Sequence, residues 1–139
     1  MINMKRMREQ LILHEGIVLD KPYRCTSGKL TIGVGRNLDD RGISEETAMQ
    51  MLDEDINIVH GELLKLFPDF SDMPEIVQES LVDLAFNMGT PTLMKFKATV
   101  AALNSQQWAI AAAELLDSRY ARQVGQRAQT IADNIRSCA

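Results

Sequence analysis

Apolar residues recur at helical spacing along most of this chain, and the one stretch where that spacing fails, from Gly16 to about Ile43, constrains the fold most. Before it, Met4, Met7, Leu11 and Ile12 mark a helix from Asn3 to Glu15, with Asn3 able to cap its first turn and Gly16 to stop it. Within it, Pro22, a Thr26-Ser27-Gly28 turn and the β-prone Leu30-Thr31-Ile32 predict a small antiparallel sheet. Gly33 and Gly35 flank Val34, and glycine inside a strand pattern marks a bend or a close backbone approach.

The remaining sequence reads as helical scaffold. Ser44, Glu45 and Glu46 open a long helix whose Ala48, Leu52, Ile56, Val59, Leu63 and Leu66 share one face, and Pro68 prevents it continuing. Pro74 is placed at a first helical position, and Val77, Leu81, Leu84, Ala85 and Met88 predict a deeply buried helix that Gly89 ends. From Thr90-Pro91 a further helix is expected to run through Phe96, Val100 and Leu103 to Asn104, and Ser105 is expected to cap the next, which carries Trp108, Ala111, Ala112 and Leu115. After a break near Val124-Gly125 a last helix carries Ala128, Ile131 and Ile135. The fold class is α+β, mainly α, in a single domain spanning 1–139. Its parts are a small β lobe over about 16–43, a connecting helix over about 44–67, and a helical lobe over about 68–139 joined by the N-terminal helix.

Charge and composition narrow the function. With 45% apolar and 24% charged residues the chain is an ordinary globular one, and its net charge of -4 lacks the basic stripe of a nucleic-acid binder. No run reaches the roughly 18 apolar residues of a membrane span, and the charged start MINMKRMREQ does not read as a signal peptide, so none is expected. A substrate outside the cytoplasm would therefore require a separate means of release. Cys25 and Cys138 lack the spacing of a zinc site or a disulfide framework. Their pairing in an oxidising compartment is the regulatory alternative to two free thiols.

The chemistry concentrates at the start of the irregular stretch. Glu15 closes a helix, and Cys25 and Thr31 follow in the hairpin. A glutamate held against apolar surface suits a general acid. Glycoside hydrolysis needs that acid on one side of the bond and a base or nucleophile on the other.

These residues, in Glu15-Gly16, Cys25 and Thr31-Ile32-Gly33-Val34-Gly35, resemble the active-site region of the phage-type lysozymes, glycoside hydrolase family 24. The likeness continues in NLDDRGISEETAMQMLDEDI, LVDLAFNMGTPTLMKF and AAAELLDSRYARQVGQRAQT, covering nearly the whole chain in the family's order. It implies a lysozyme-like fold and a muramidase that cuts the β-1,4 bond between N-acetylmuramic acid and N-acetylglucosamine in peptidoglycan. It implies Glu15 as the acid, Thr31 as the residue positioning water, and Cys25 where most relatives carry aspartate. Nine residues separate Glu15 from Cys25, where eight is usual, so an extra residue is expected to bulge near Lys21-Pro22. An unperturbed thiol of pKa about 8.5 is mostly protonated at neutral pH, which leaves Cys25 open as base, nucleophile or holder of water, with Asp20 the nearest substitute carboxylate.

The same resemblance implies that Arg127 pairs with the acid, that Arg36 and Asp55 form a structural ion pair, and that Asn37, Phe86, Thr99 and Glu114 line a substrate cleft between the two lobes. Trp108 reads as core rather than sugar platform, and His14 and His60 as surface residues. No cofactor or metal is implied. The expected partners are peptidoglycan and, for a phage or prophage endolysin acting as a monomer, a holin that releases it from the host cytoplasm to the wall. Other chemistries open to such a fold are lytic transglycosylation, chitinase-like hydrolysis and non-catalytic wall binding.

Overall fold

Asn3 opens the first helix, α1 (Met4–Glu15), its side-chain oxygen accepting the Arg6 amide at 2.9 Å. Gly16, at φ +73°, turns the chain out of it. Three strands follow in sequential antiparallel order, β1 (Val18–Arg24), β2 (Leu30–Gly33) and β3 (Arg36–Asn37). Between the pairs Val18↔Gly33 and Tyr23↔Thr31, β1 advances five residues and β2 only two, so β1 bulges there. Lys21-Pro22 lies in that segment, where the long spacing from Glu15 to Cys25 placed the extra residue. A one-turn helix, α2 (Leu38–Arg41), then packs on β2, and the Asp39 carboxylate accepts the Leu30 amide at 2.7 Å.

The computed structural model describes all 139 residues and divides into two compact units, Met1–Gln50 and Met51–Ala139. The boundary falls within α3 (Glu45–Leu66), which the Ser44 hydroxyl caps by accepting the Thr47 amide. The second unit consists of a 3-10 turn at Phe70–Asp72 and the helices α4 (Glu75–Met88), α5 (Thr90–Leu93), α6 (Lys97–Asn104), α7 (Trp108–Leu116), α8 (Arg119–Val124) and α9 (Gln126–Arg136), together with most of α3. Its core joins Leu63 and Phe67 to Val77, Leu81 and Leu84 of α4, Leu103 of α6, Ala111 and Leu115 of α7, and Ile131 and Ile135 of α9. Trp108 is part of this core, as expected. Cys138 packs against it too, and both cysteines are free thiols.

Several boundaries differ from those read in the sequence. The helix expected to run from Ser105 to the break at Val124-Gly125 is two, α7 and α8, parted at Asp117-Ser118, where the Ser118 hydroxyl caps α8. Pro74 caps α4 rather than starting it, because its carbonyl accepts the Val77 and Gln78 amides. The single helix expected from Thr90 to Asn104 is two. After α5 the Lys95 and Phe96 amides bond only three residues back, and Phe96 leaves the helical basin at ψ 68° with its ring edge-on to Tyr120, centroids 6.4 Å apart. Ser105 ends α6 instead of capping α7, since its amide reaches back to Ala101 and the cap of α7 is Gln107.

Candidate active site

In the first unit, Glu15 is the last residue of α1, and its side chain lies over the β2–β3 turn. Gly35, at φ +68°, lies directly beneath it. A Cβ built there would stand 3.1 Å from Glu15 Oε2, closer than nine in ten real Cβ contacts. The close backbone approach expected of this glycine is thus made to the carboxylate itself.

Cys25 and Thr31 are brought together by the turn that joins β1 to β2. The Cys25 amide donates to the Lys29 carbonyl at 2.9 Å, and the Gly28 amide donates to the Cys25 carbonyl at 2.8 Å. This fold-back aims backbone N–H groups at the half-buried sulfur. Hydrogen bonds from the Lys29 amide, then the Ser27 amide, hold the thiol below its ordinary value; the Thr31 and Ser27 hydroxyls act in the same sense, and partial burial opposes them. Thr31 is 3% exposed and also donates to the Lys29 carbonyl at 2.9 Å. Its hydroxyl has one proton and two neighbouring acceptors, so it can pass that proton between the carbonyl and the sulfur as the thiol ionises. The sheet therefore carries a carboxylate on one turn, and a polarised sulfur with a buried hydroxyl at the other.

The supporting residues of this unit are engaged locally. Arg36 donates to the Gly42 carbonyl at 3.2 Å. Asn37 caps α2: its Oδ1 accepts the Asp40 amide and its Nδ2 donates to the Asp40 carboxylate, each at 3.0 Å.

In the second unit, Thr99 on α6 and Glu114 on α7 line one concavity of about 220 Å3 with Phe96, Lys97, Ala98 and Ser118. Phe86 is 44% exposed on α4, leaving an apolar ring face open. Asp55 is exposed on α3. Arg127 of α9 is held by Asp83 of α4, its Nε 2.9 Å from Oδ1 and its Nη2 bonded to the same oxygen and to the Asp83 carbonyl. Tyr120 lies nearby at 8% exposure with its hydroxyl unpartnered. Burial pushes that phenol up; Arg127 acts against this shift and Asp83 with it.

Sequence reading missed Asp83, Ser27, Lys29 and Lys97. The two donors to Cys25 act through backbone amides, for which the Thr26-Ser27-Gly28 turn was the only available signal. Asp83 lies 44 residues from Arg127, and nothing local announces that pairing.

Compared with known families, the chain matches the sequence model described as Phage lysozyme over residues 13–134. Compared with curated proteins one by one, it matches none.

Proposed function

Because the chain belongs to the phage lysozyme family and so is a peptidoglycan-lysing enzyme, we propose that it is a muramidase in which Glu15 protonates the glycosidic oxygen between N-acetylmuramic acid and N-acetylglucosamine. Water, positioned by Thr31 and activated at the Cys25 sulfur, attacks the anomeric carbon as the bond to the leaving oxygen breaks. The proton lost by water goes to the sulfur, and the proton of Glu15 goes to the leaving sugar. The observation that carries this reading is the Cys25 turn, where two backbone amides and a buried hydroxyl surround a thiol and favour its basic form. Within the second unit, Phe86, Thr99 and Glu114 contact the saccharide, and Arg127 braces α9 against α4 through Asp83; within the first, Asn37 and Arg36 brace the chain that follows the sheet. In this reading the enzyme is a monomeric phage or prophage endolysin that waits in the host cytoplasm until a holin opens the way to the wall.

The test is digestion of purified peptidoglycan by the wild type, Glu15→Gln and Cys25→Ser, with the new reducing ends identified. Glu15→Gln should lose at least about a hundredfold in rate, the ordinary contribution of a general acid. Clearing at the wild-type rate would remove Glu15 from the chemistry, and anhydro-sugar ends would replace hydrolysis by transglycosylation.

A further inference from the structure

The turn that carries Cys25 is tied down from α2. β3 ends at Asn37, paired with Thr31, so no residue of β3 stands opposite Leu30. The Leu30 amide goes instead to Asp39 Oδ2 at 2.7 Å, the short distance of a charge-assisted bond. The same oxygen lies 3.6 Å from Arg24 Nη1, which donates to the Gly28 carbonyl at 3.0 Å. Arg24 and Leu30 are the last paired residues before the turn, one directly ahead of Cys25 and the other directly ahead of Thr31. One carboxylate thus holds both ends of the segment whose Ser27 and Lys29 amides surround the sulfur. Asn37, which accepts the Asp40 amide and donates to the Asp40 carboxylate, fixes the helical turn from which Asp39 reaches.

The two interactions of Asp39 differ in weight. The side chains of Arg24 and Asp39 are 68% and 43% exposed, and an ion pair so exposed contributes little. The bond to the Leu30 amide is therefore the part that holds. Around the turn, Arg24 and Lys29 of the hairpin pair with Asp39 and Asp40 of α2, so their charges offset one another and the sulfur depends on its amides.

We propose that Asp39 is a positioning residue for this reaction: its bond to the Leu30 amide fixes the Cys25 turn, and with it the aim of the Ser27 and Lys29 amides on the sulfur that takes the proton of the attacking water. In this role Asp39 touches neither the sugar nor the water. The inference rests on the reading of Cys25 as the base, and adds the group that keeps that base in place.

Two variants of the full chain isolate that bond. Asp39→Ala removes both the charge and the acceptor, whereas Asp39→Asn removes the charge and keeps an acceptor for Leu30. On soluble peptidoglycan fragments Asp39→Ala should lower kcat about tenfold, the scale of one charge-assisted hydrogen bond, at unchanged KM, and Asp39→Asn should recover most of that loss. The Cys25 thiolate is followed by its ultraviolet absorbance against pH, with Cys25→Ser as the blank. Its midpoint should move up in Asp39→Ala, toward the free value of about 8.5. In Asp39→Asn it should stay at or below the wild-type midpoint, because losing a like charge alone moves it down. Amide exchange of Ser27 and Lys29 should quicken in Asp39→Ala while that of Ala111 and Leu115 stays slow, which separates a loosened turn from unfolding. If alanine unfolds the sheet, Asp39→Glu, which displaces the carboxylate by one methylene, takes its place with the same expected changes. Equal rates and midpoints in Asp39→Ala and Asp39→Asn would overturn the proposal. So would a rise in KM at an unchanged midpoint, which would make Asp39 a substrate contact. Cys25→Ser, assayed alongside, keeps the two readings apart. A wild-type rate there removes the thiol as base, and a lost rate there with no difference between the Asp39 variants sinks this inference alone.

Discussion

Gly35 meets two demands at once, a left-handed backbone and room for the Glu15 carboxylate. An alanine there would strain the backbone by about 1–2 kcal/mol and push its methyl against Oε2. Gly35→Ala should therefore lower wall-lytic rate more than stability, by on the order of tenfold or more, since a displacement of about 1 Å can cost a hundredfold. Lytic assays beside urea melts decide it; an alanine variant with the wild-type rate would show that the contact is incidental. The Cys25 turn gives a second expectation. A thiol lowered in the folded state keeps its thiolate down to a pH below the free value of about 8.5. The stability it contributes is present in full above the unfolded pKa and is lost as pH falls through the folded one. If the thiolate is the base, activity rises with pH across that same window. Cys25→Ser should flatten this limb of the pH–rate profile, and Cys25→Asp should move it toward the carboxylate range near pH 4. An unchanged limb in Cys25→Ser would assign it to another group.

Ser118 shows how far a single element can be argued from its own residues. Its hydroxyl accepts the Ala121 amide at 3.1 Å at the start of α8 and donates back to the Leu115 carbonyl of α7, so it joins two helices. Ser118→Ala should cost about 1 kcal/mol, the usual value of a lost cap, read as a lower urea midpoint at unchanged slope, and Ser118→Asn should recover part of it. A midpoint equal to wild type would leave the cap without effect. Caps of this kind explain why most element ends were legible in the sequence. Asn3, Gly16, Ser44, Gly89 and Gly125 act through their own conformational preferences, within a few residues. The break at Met94–Phe96 was not legible, because it depends on the Phe96 ring meeting Tyr120 from another helix. The same distinction holds in the site. Glu15, Cys25, Thr31 and Gly35 fall in one short window where hairpin geometry brings neighbours together, whereas Lys97, Glu114, Asp83 and Arg127 meet only through the packing of α4, α6, α7 and α9.

For the molecule as a whole, the relevant quantity is a net charge of -4 facing a wall that is itself anionic. Long-range electrostatics then cannot draw this enzyme to its substrate, as they would a basic one, and mild repulsion is what salt acts on. Raising ionic strength from about 0.01 to 0.15 M shortens the screening length from about 30 to 8 Å. Repulsion between the whole protein and the wall fades over that range, while contacts formed at a few ångströms, such as hydrogen bonds to a bound saccharide, are weakened less. The initial rate of wall clearing should accordingly stay level or rise across this range. Turbidity assays on purified walls at the two salt concentrations give the answer. A tenfold fall in rate at the higher concentration would mean that a local basic surface steers the encounter despite the acidic balance.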